Sequence, residues 1–334
     1  MKYQVLLTER ISPVGIGILE SNAKVIIAPT PSDADLLPLI GNADALLIRS
    51  TPLSRAVMNA GENLKVIGRH GIGIDNIDVA AATRLGIQVV NTPGANTNAV
   101  AEHSLWAIMH CAKNFNRAEK ALREGRFAVA GSLPGLVQKM GYSTLELKAK
   151  NLGLVGFGRI ARRLAELARS FQMDIRAFDP LVGDDAFREL AVHRANSLEE
   201  AIRDADFVSL HVPHMKETHH LIGEKQLAMM KKEAYLINTS RGGIVDEAAL
   251  LRALREGRIA GAALDVFEQE PPPADLPFFG LENVMVTPHM AAMTDLALVN
   301  MAVDVSRGIL DALEGKRPEF LCNPEVWEKR RGRG

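Results

Sequence analysis

The sequence has little cysteine, little net charge and no long apolar run. Its 334 residues contain two cysteines, Cys111 and Cys322, which match no metal-binding spacing and fit a reducing compartment better than a disulfide scaffold. The 39 Lys and Arg residues nearly balance the 40 Asp and Glu residues, so no overall field attracts nucleic acid or an anionic membrane. No apolar stretch approaches the roughly 20 residues of a membrane span. We expect a cytoplasmic protein that binds no nucleic acid, membrane or metal.

Short apolar runs instead alternate with segments of helical periodicity, which predicts parallel sheets covered by helices on both faces. A chain of 334 residues exceeds one hydrophobic core, and we expect an α/β protein with two doubly wound sheets. The first series of predicted strands is 5–7, 25–27, 45–48, 65–67 and 87–90. The second series is 152–155, 175–178, 207–210, 235–237, 262–264 and 284–286.

The segments outside these series place the domain boundaries. After Asn98 a long helical pattern, broken only near Gly125, is typical of a connector, and residues 126–147 resemble a loop. An amphipathic helix over 294–313 has no strand after it, which predicts that it packs on the first domain. We therefore expect one domain over 1–100 and 290–334, with a second domain over 101–289.

A glycine-rich turn directly follows the predicted strand at 152–155. Gly156 permits a tight turn, Gly158 lets the backbone approach a pyrophosphate, and Arg159 and Ile160 open a helix whose N-terminus favours phosphate. The small Ala161 allows that helix to pack close to the sheet. The pattern predicts a dinucleotide site, with a structural glycine turn as the alternative.

Asp179 strengthens the dinucleotide interpretation. It lies at the end of the next predicted strand, where a carboxylate binds the ribose hydroxyls of NAD and repels the 2′-phosphate of NADP. The alternative is an ordinary strand-end Asp before Pro180. The positive charges of Arg159 and Arg176 nevertheless leave binding of NADP open as an alternative. We predict NAD as the cofactor.

Five further segments carry a family resemblance across nearly the whole chain. They are 71–78 (GIGIDNID), 100–103 (VAEH), 238–246 (NTSRGGIVD), 264–271 (LDVFEQEP) and 286–289 (VTPH). Together they resemble the D-isomer-specific 2-hydroxyacid dehydrogenases, and within them most closely the phosphoglycerate dehydrogenase and hydroxypyruvate reductase branch. The resemblance implies an NAD-dependent oxidoreductase, a homodimer, and a Rossmann NAD-binding domain inserted into a flavodoxin-like substrate domain.

The resemblance also implies three catalytic residues. Arg241 matches the arginine that holds the substrate carboxylate and polarises the carbonyl, and His289 matches the acid that protonates the carbonyl oxygen. Glu270 matches the carboxylate that orients the imidazole; the related formate dehydrogenases have glutamine there. Taken singly, the three residues have other interpretations: a surface arginine, a turn acid before Pro271 and one histidine of nine.

Four more residues match family positions along the cofactor. His211 and Pro213 lie in a segment that follows a predicted strand, and Thr239 lies in the segment that contains Arg241. Asp265 matches a residue that accepts a hydrogen bond from the nicotinamide carboxamide, with a structural strand-end Asp as the alternative.

Substrate choice is assigned to the first domain. Backbone N–H groups at Gly71, Ile72 and Gly73 can bind a carboxylate, because glycines allow close approach. Arg49 and Arg69 follow adjacent predicted strands and are positioned for a second anion, as in the phosphoglycerate dehydrogenase branch; a structural pair bridging loops is the alternative.

The expected reaction interconverts a D-2-hydroxy acid and its 2-keto acid, with 3-phosphoglycerate or another dianionic acid as the first candidate. A hydroxypyruvate or glyoxylate reductase is the alternative, and an NAD-sensing protein similar to the C-terminal-binding-protein corepressors is a third. The sequence ends soon after the helix at 294–313, so we expect a short form without the regulatory domain of longer phosphoglycerate dehydrogenases.

Overall fold

A computed structural model describes residues 2–141 and 144–332. The chain divides into two compact units. Unit 1 comprises Met1–Thr97 and Ala292–Gly334, and unit 2 comprises Asn98–Ala291.

Unit 1 is a five-stranded parallel sheet with helices on both faces. Its strands lie in the order β2-β1-β3-β4-β5, which is the flavodoxin-like order. Its elements are β1 (Tyr3–Leu7), α1 (Pro13–Glu20), β2 (Ala23–Ile27), α2 (Asp33–Ile40), β3 (Ala45–Ile48), α3 (Arg55–Ala60), β4 (Val66–Arg69), α4 (Val79–Arg84) and β5 (Gln88–Val90).

Unit 2 contains a seven-stranded parallel sheet, in the order β12-β11-β10-β9-β6-β7-β8. This is the Rossmann order with β12 added at one edge. Its elements are α5 (Thr97–Lys113), α6 (Phe115–Arg123), α7 (Leu133–Lys139), β6 (Asn151–Val155), α8 (Arg159–Arg169), β7 (Asp174–Phe178), α9 (Asp184–Glu189), β8 (His193–Arg194), α10 (Leu198–Arg203), β9 (Phe207–Leu210), α11 (Glu224–Met229), β10 (Tyr235–Asn238), α12 (Glu247–Arg255), β11 (Gly261–Leu264) and β12 (Val284–Val286).

The seven-stranded sheet has a separate hydrophobic core on each face. Successive residues of a strand point to opposite faces, so Phe207 packs with α5 and α8 while Val208 packs with α10 and α12. All four residues of β9 are buried, the polar Ser209 included, as expected for a strand covered on both sides.

The last helix belongs to unit 1, as predicted. This helix, α13 (Asp295–Leu313), is capped by the Thr294 hydroxyl, which accepts a hydrogen bond from the Ala297 N–H at 3.3 Å. It packs against α1, where the Ser306 hydroxyl donates to the Gly15 carbonyl at 3.0 Å. A β-carbon at Gly15 would lie 2.7 Å from that of Ala302, so glycine permits this close packing.

The predicted fold class and strand series are confirmed, with three corrections. The helical pattern after Asn98 breaks at Asn114 as well as near Gly125, because Asn114 adopts a left-handed φ of 53° that asparagine tolerates. The segment 126–147 is not all loop, because α7 begins after Ser132 with proline in its first turn; Tyr142 and Ser143 lie outside the described residues. The exposed two-residue strand β8 was not predicted, because it lacks an apolar run.

Two features are absent from the described residues. No helix there combines the length and apolar character that a bilayer crossing requires. Residues 2–141 and 144–332 also contain no group of three or more His, Cys, Asp or Glu side chains arranged to hold a metal ion.

Candidate active site

The glycine turn after β6 has a shape that only glycine supports. Gly156 has a φ of 90°, and its N–H donates to the Phe178 carbonyl at 2.8 Å. A β-carbon at Gly156 would lie 2.7 Å from the carbonyl oxygen of His211. A β-carbon at Gly158 would have no neighbour within 4 Å, so at this position the space beside the N-terminus of α8 is open to a ligand.

Asp179 lies beside this turn at the end of β7. Its Oδ2 accepts a hydrogen bond from the Phe157 N–H at 2.8 Å, and its Oδ1 accepts one from the Leu181 N–H at 2.9 Å. These two bonds fix the carboxylate next to the turn. Both the glycine turn and an acid at the next strand end are therefore present in the arrangement that a dinucleotide site requires.

The segments after β9 and β10 lie at the same edge of the sheet. His211 shares a hydrogen bond of 2.9 Å with Ser209, and burial lowers the pKa of its imidazole to about 4, so His211 is neutral at pH 7. The Pro213 carbonyl accepts a hydrogen bond from the Thr218 hydroxyl at 2.6 Å. The Thr239 hydroxyl lies 2.8 Å from the Ser104 hydroxyl of α5.

Glu270 and His289 form a direct pair. Oε2 of Glu270 lies 2.6 Å from Nδ1 of His289, and its Oε1 accepts a hydrogen bond from the Phe267 N–H at 3.1 Å. Burial alone would raise the pKa of Glu270, but the hydrogen bond and charge of His289, aided by Phe267 and Arg241, hold it below its ordinary value. The structure therefore supplies an ionised acceptor for one imidazole nitrogen.

Arg241 begins the turn after β10. Its carbonyl accepts a hydrogen bond from the Asn238 side chain at 2.9 Å, and its Nη1 donates to the Ser240 carbonyl at 2.8 Å. The positive charge of Arg241 also contributes to the lowered pKa of Glu270. Unit 2 thus contains the Arg241 guanidinium, the Glu270–His289 pair and the glycine turn.

Asp265, at the end of β11, binds the segment that contains His289. Its carboxylate accepts hydrogen bonds from the Thr287 hydroxyl at 2.6 Å and from the Met290 and Ala291 N–H groups, both at 2.9 Å. Its carbonyl accepts a further bond from the His289 N–H at 2.7 Å.

The predicted substrate residues lie at the carboxyl ends of β3 and β4 in unit 1. Ile48 pairs with Arg69 in the sheet, so Arg49 and Arg69 leave neighbouring strands, as predicted. The Arg49 carbonyl accepts a hydrogen bond from the Asn76 side chain at 2.9 Å, and Nη1 of Arg69 donates to the His70 carbonyl.

The glycine segment after β4 is held in place by its carbonyls. The Gly71 carbonyl accepts from the Thr92 N–H at 3.1 Å, and the Ile72 carbonyl accepts from the Asn91 side chain at 2.7 Å. Over the described residues, the N–H groups of Ile72 and Gly73 donate no hydrogen bond. These two N–H groups can therefore donate hydrogen bonds to an acceptor atom of a ligand.

Sequence reasoning missed Thr287, His103 and Ser104. The Nε2 atom of His103 lies 3.3 Å from the Thr287 hydroxyl and 3.8 Å from Asp265, and Ser104 contacts Thr239. The position of Thr287 directly after β12 was a usable signal. His103 ends the segment 100–103 that carries part of the family resemblance, which was a signal as well. Ser104 had no comparable signal, because its contact depends on how α5 packs on the strand ends.

Comparison with known proteins agrees with this geometry. The model of the family described as "D-isomer specific 2-hydroxyacid dehydrogenase, NAD binding domain" matches residues 105–291. A D-3-phosphoglycerate dehydrogenase of Methanocaldococcus jannaschii is 38% identical over 332 residues, which are 99% of this chain and 61% of that protein. This chain therefore spans about three fifths of that relative's length.

Two other relatives are covered almost completely. A glyoxylate reductase of Korarchaeum cryptofilum is 39% identical over 331 residues, which are 98% of this chain and 97% of that protein. The structure of an NADPH-dependent glyoxylate/hydroxypyruvate reductase from Sinorhizobium meliloti, in complex with NADP and malonate, has a TM-score of 0.84 at 26% identity, covering 96% of this chain and 97% of that one. The chain belongs to the D-isomer-specific 2-hydroxyacid dehydrogenase family.

Proposed function

We propose that the protein is an NAD-dependent oxidoreductase that interconverts a D-2-hydroxy acid and its 2-keto acid. The observation that carries the proposal is the 2.6 Å contact between Glu270 and His289, in the same unit as Arg241 and the glycine turn. A nicotinamide ring, when bound, supplies or accepts the hydride. The side chains of the protein must then supply substrate binding and proton transfer.

Each of the three catalytic residues has one task in this proposal. Arg241 binds the substrate carboxylate and polarises the neighbouring carbonyl. His289 gives a proton to the carbonyl oxygen during reduction and takes it back during oxidation. Because Glu270 accepts the hydrogen bond from Nδ1, Nε2 is left as the nitrogen that exchanges the proton with the substrate.

For the cofactor, we assign NAD rather than NADP. Asp179 supports this assignment, because its carboxylate is fixed beside the glycine turn by two backbone N–H groups. A 2′-phosphate near that charge would be repelled. The residues proposed to contact the dinucleotide are Gly156, Gly158, Arg159, Ile160, Asp179, His211, Pro213 and Thr239.

Unit 1 is proposed to select the substrate, and unit 2 to bind the cofactor. The Ile72 and Gly73 N–H groups suit a carboxylate, and the two arginines Arg49 and Arg69 suit a second anion. These charges support a dianionic acid of the 3-phosphoglycerate type. The 39% identity to a glyoxylate reductase over 98% of the chain favours a second candidate, a glyoxylate or hydroxypyruvate reductase.

We also propose a homodimer formed through unit 2. Large exposed apolar side chains are concentrated between residues 106 and 137, where they offer a surface for a second copy. They are Trp106, Phe115, Leu122, Val129, Leu133 and Val137. Sedimentation should show a dimer that Trp106→Glu weakens, while Leu181→Glu, at a side chain 93% exposed outside this surface, has no effect. A wild-type monomer would contradict the proposal.

A panel of keto acids tests the proposed reaction and separates its substrates. NADH oxidation is measured with phosphohydroxypyruvate, sulfopyruvate, hydroxypyruvate, glyoxylate, 2-oxoglutarate and pyruvate. Arg49→Ala is compared with Arg55→Ala, which removes an exposed arginine paired with Asp78. Preference for dianionic acids that only Arg49→Ala abolishes supports the first candidate, and preference for small acids that neither variant changes supports the second. Tight NADH binding without turnover of any acid would support the corepressor-like alternative.

A further inference from the structure

The backbone at His289 has a conformation that needs support from its neighbours. Its φ is 51°, in the left-handed region that residues other than glycine rarely adopt. Such a conformation persists at a functional site when surrounding contacts fix it. The source of that support is the end of β11, because the His289 N–H donates to the Asp265 carbonyl at 2.7 Å and the Thr287 N–H donates to the Leu264 carbonyl at 2.9 Å.

The Asp265 side chain adds a second set of contacts on both sides of His289. Before it, the Thr287 hydroxyl donates to Oδ1; after it, the Met290 N–H donates to Oδ1 and the Ala291 N–H donates to Oδ2. Asp265 is 2% exposed, so these bonds form away from water, where hydrogen bonds to a carboxylate are strong. The protein's own donors therefore engage both oxygens of this carboxylate.

We propose that Asp265 and Thr287 are positioning residues that hold the backbone of His289, so that its imidazole meets Glu270. This inference rests on the proposed function for its effect on turnover. It differs from the role that family resemblance gives Asp265, which is to accept a hydrogen bond from the cofactor. Glu270 holds the imidazole ring, and Asp265 with Thr287 holds the chain from which the ring extends.

His103 completes the arrangement as a neutral neighbour. Its Nε2 lies 3.3 Å from the Thr287 hydroxyl, and burial lowers the pKa of its imidazole, although the charge of Asp265 acts in the opposite direction. Because the Thr287 hydroxyl donates to Asp265, its oxygen is left to accept from His103. The threonine hydroxyl thus connects α5 to the carboxylate that positions His289.

Thr287 provides the cleanest substitution. Thr287→Val keeps the size and branching of the side chain and removes the hydroxyl, which donates to Asp265 and contacts His103; Thr287→Ser restores the hydroxyl. We expect Thr287→Val to lower kcat about tenfold, with the dissociation constant of NADH unchanged, and Thr287→Ser to recover most of the rate. Asp265→Asn, which places an amide where only an acceptor fits, should lower kcat about 100-fold.

NADH affinity distinguishes positioning from cofactor binding. Fluorescence titration gives the dissociation constant of NADH for each variant, and steady-state kinetics gives kcat and KM. Asp265→Asn is compared with the wild type in binding and in turnover. If Asp265→Asn weakens NADH binding about tenfold and leaves kcat at saturating NADH unchanged, the carboxylate is a cofactor contact and the proposal is wrong. A Thr287→Val enzyme with wild-type kcat would also overturn it.

A spectroscopic readout keeps the inference independent of the substrate. In ¹⁵N-labelled protein, the Nδ1 signal of His289 reports its hydrogen bond to Glu270. The signal should be retained in the wild type and Thr287→Ser and altered in Thr287→Val. If the wild type reduces no keto acid, the proposed function fails, while the NMR result still decides the positioning claim: an unaltered signal in Thr287→Val contradicts it.

Discussion

Nδ1 of His289 lies 2.6 Å from Oε2 of Glu270, although 19 positions separate the two residues in the chain. The contact forms because the segments after β11 and β12 leave neighbouring strands at the same edge of the sheet. A carboxylate there accepts the hydrogen bond from Nδ1 and so selects the imidazole tautomer. The catalytic proposal depends on this pair more than on any other contact.

Replacing Glu270 tests the pair. Glu270→Gln keeps the shape of the side chain and removes its charge, and we expect kcat to fall about 100-fold, because the imidazolium loses its counter-ion. Steady-state rates across pH measure the effect. Since the folded protein holds the pKa of Glu270 below 4.5, the pair should survive mild acid and be lost only as the pH falls through that lowered value.

Glu268→Gln is the matched control for this prediction. Glu268 lies two positions from Glu270 in the same segment and pairs with His220 at 2.9 Å. Its loss should change kcat less than about threefold, since an exposed ion pair contributes little. Equal losses in the two variants would argue against a specific role for Glu270.

The glycine turn offers two substitutions with different expected results. Gly156→Ala forces a β-carbon against the His211 carbonyl at a φ of 90°, so we expect about 2 kcal/mol or more of lost stability. Gly158→Ala meets no protein atom within 4 Å, so the fold should keep its stability while NADH binds at least about tenfold more weakly. Urea unfolding and NADH titration measure the two effects. Unchanged NADH affinity in Gly158→Ala would mean that no pyrophosphate lies there.

Asp179 should determine the preference between the two nicotinamide cofactors. Asp179→Ser removes the charge beside the glycine turn, and we expect the ratio of kcat/KM for NADH over NADPH to fall about tenfold or more. Asp174→Ser, at the exposed start of the same strand β7, is the matched control and should leave the ratio unchanged. A wild-type enzyme that prefers NADPH would contradict the assignment of NAD.

Two histidines with lowered pKa values predict how stability depends on pH. Burial lowers the pKa of His211 to about 4, and burial with the charges of Arg49 and Arg69 lowers that of His70 to about 4. The unfolded chain, with an ordinary value of 6.5, binds more protons between pH 6.5 and 4, so stability falls as the pH falls through that window. Between pH 7.5 and 5 the loss is on the order of 2 kcal/mol for each histidine.

Urea unfolding at pH 7.5 and pH 5 tests this dependence. His70→Gln should flatten the dependence that comes from unit 1, and His211→Gln the dependence that comes from unit 2. His193→Gln, at an exposed residue of β8, should leave the pH dependence unchanged. A wild-type protein whose stability does not change across the window would contradict the lowered pKa values of these two histidines.

Features with a local signal could be predicted from the sequence. Strands such as β3 are continuous apolar runs. Gly156, Asp179 and His289 all follow strand ends, where parallel topology brings them to one edge of the sheet. Helix α13 has a threonine cap and an apolar stripe. In these cases residues that are close together in the sequence are enough to predict the local structure.

Features that depend on distant contacts could not be predicted in this way. The bonds from Thr287, Met290 and Ala291 to Asp265 span 22 or more positions, and no periodicity encodes them. The left-handed Asn114 divides a pattern that reads as one helix. The hydrogen bonds that Asp265 accepts are the clearest example, because only the folded chain shows how much of its hydrogen-bonding capacity the protein itself uses.

The most direct test of the account compares the wild type with His289→Asn in NADH oxidation at pH 7, across the keto-acid panel, with His193→Asn as the control. We predict that the wild type and His193→Asn reduce at least one 2-keto acid to the D-2-hydroxy acid, and that His289→Asn binds NADH normally but is at least about 1,000-fold slower. Equal rates in all three proteins, or no reduction of any keto acid by the wild type, would contradict the proposed catalytic role.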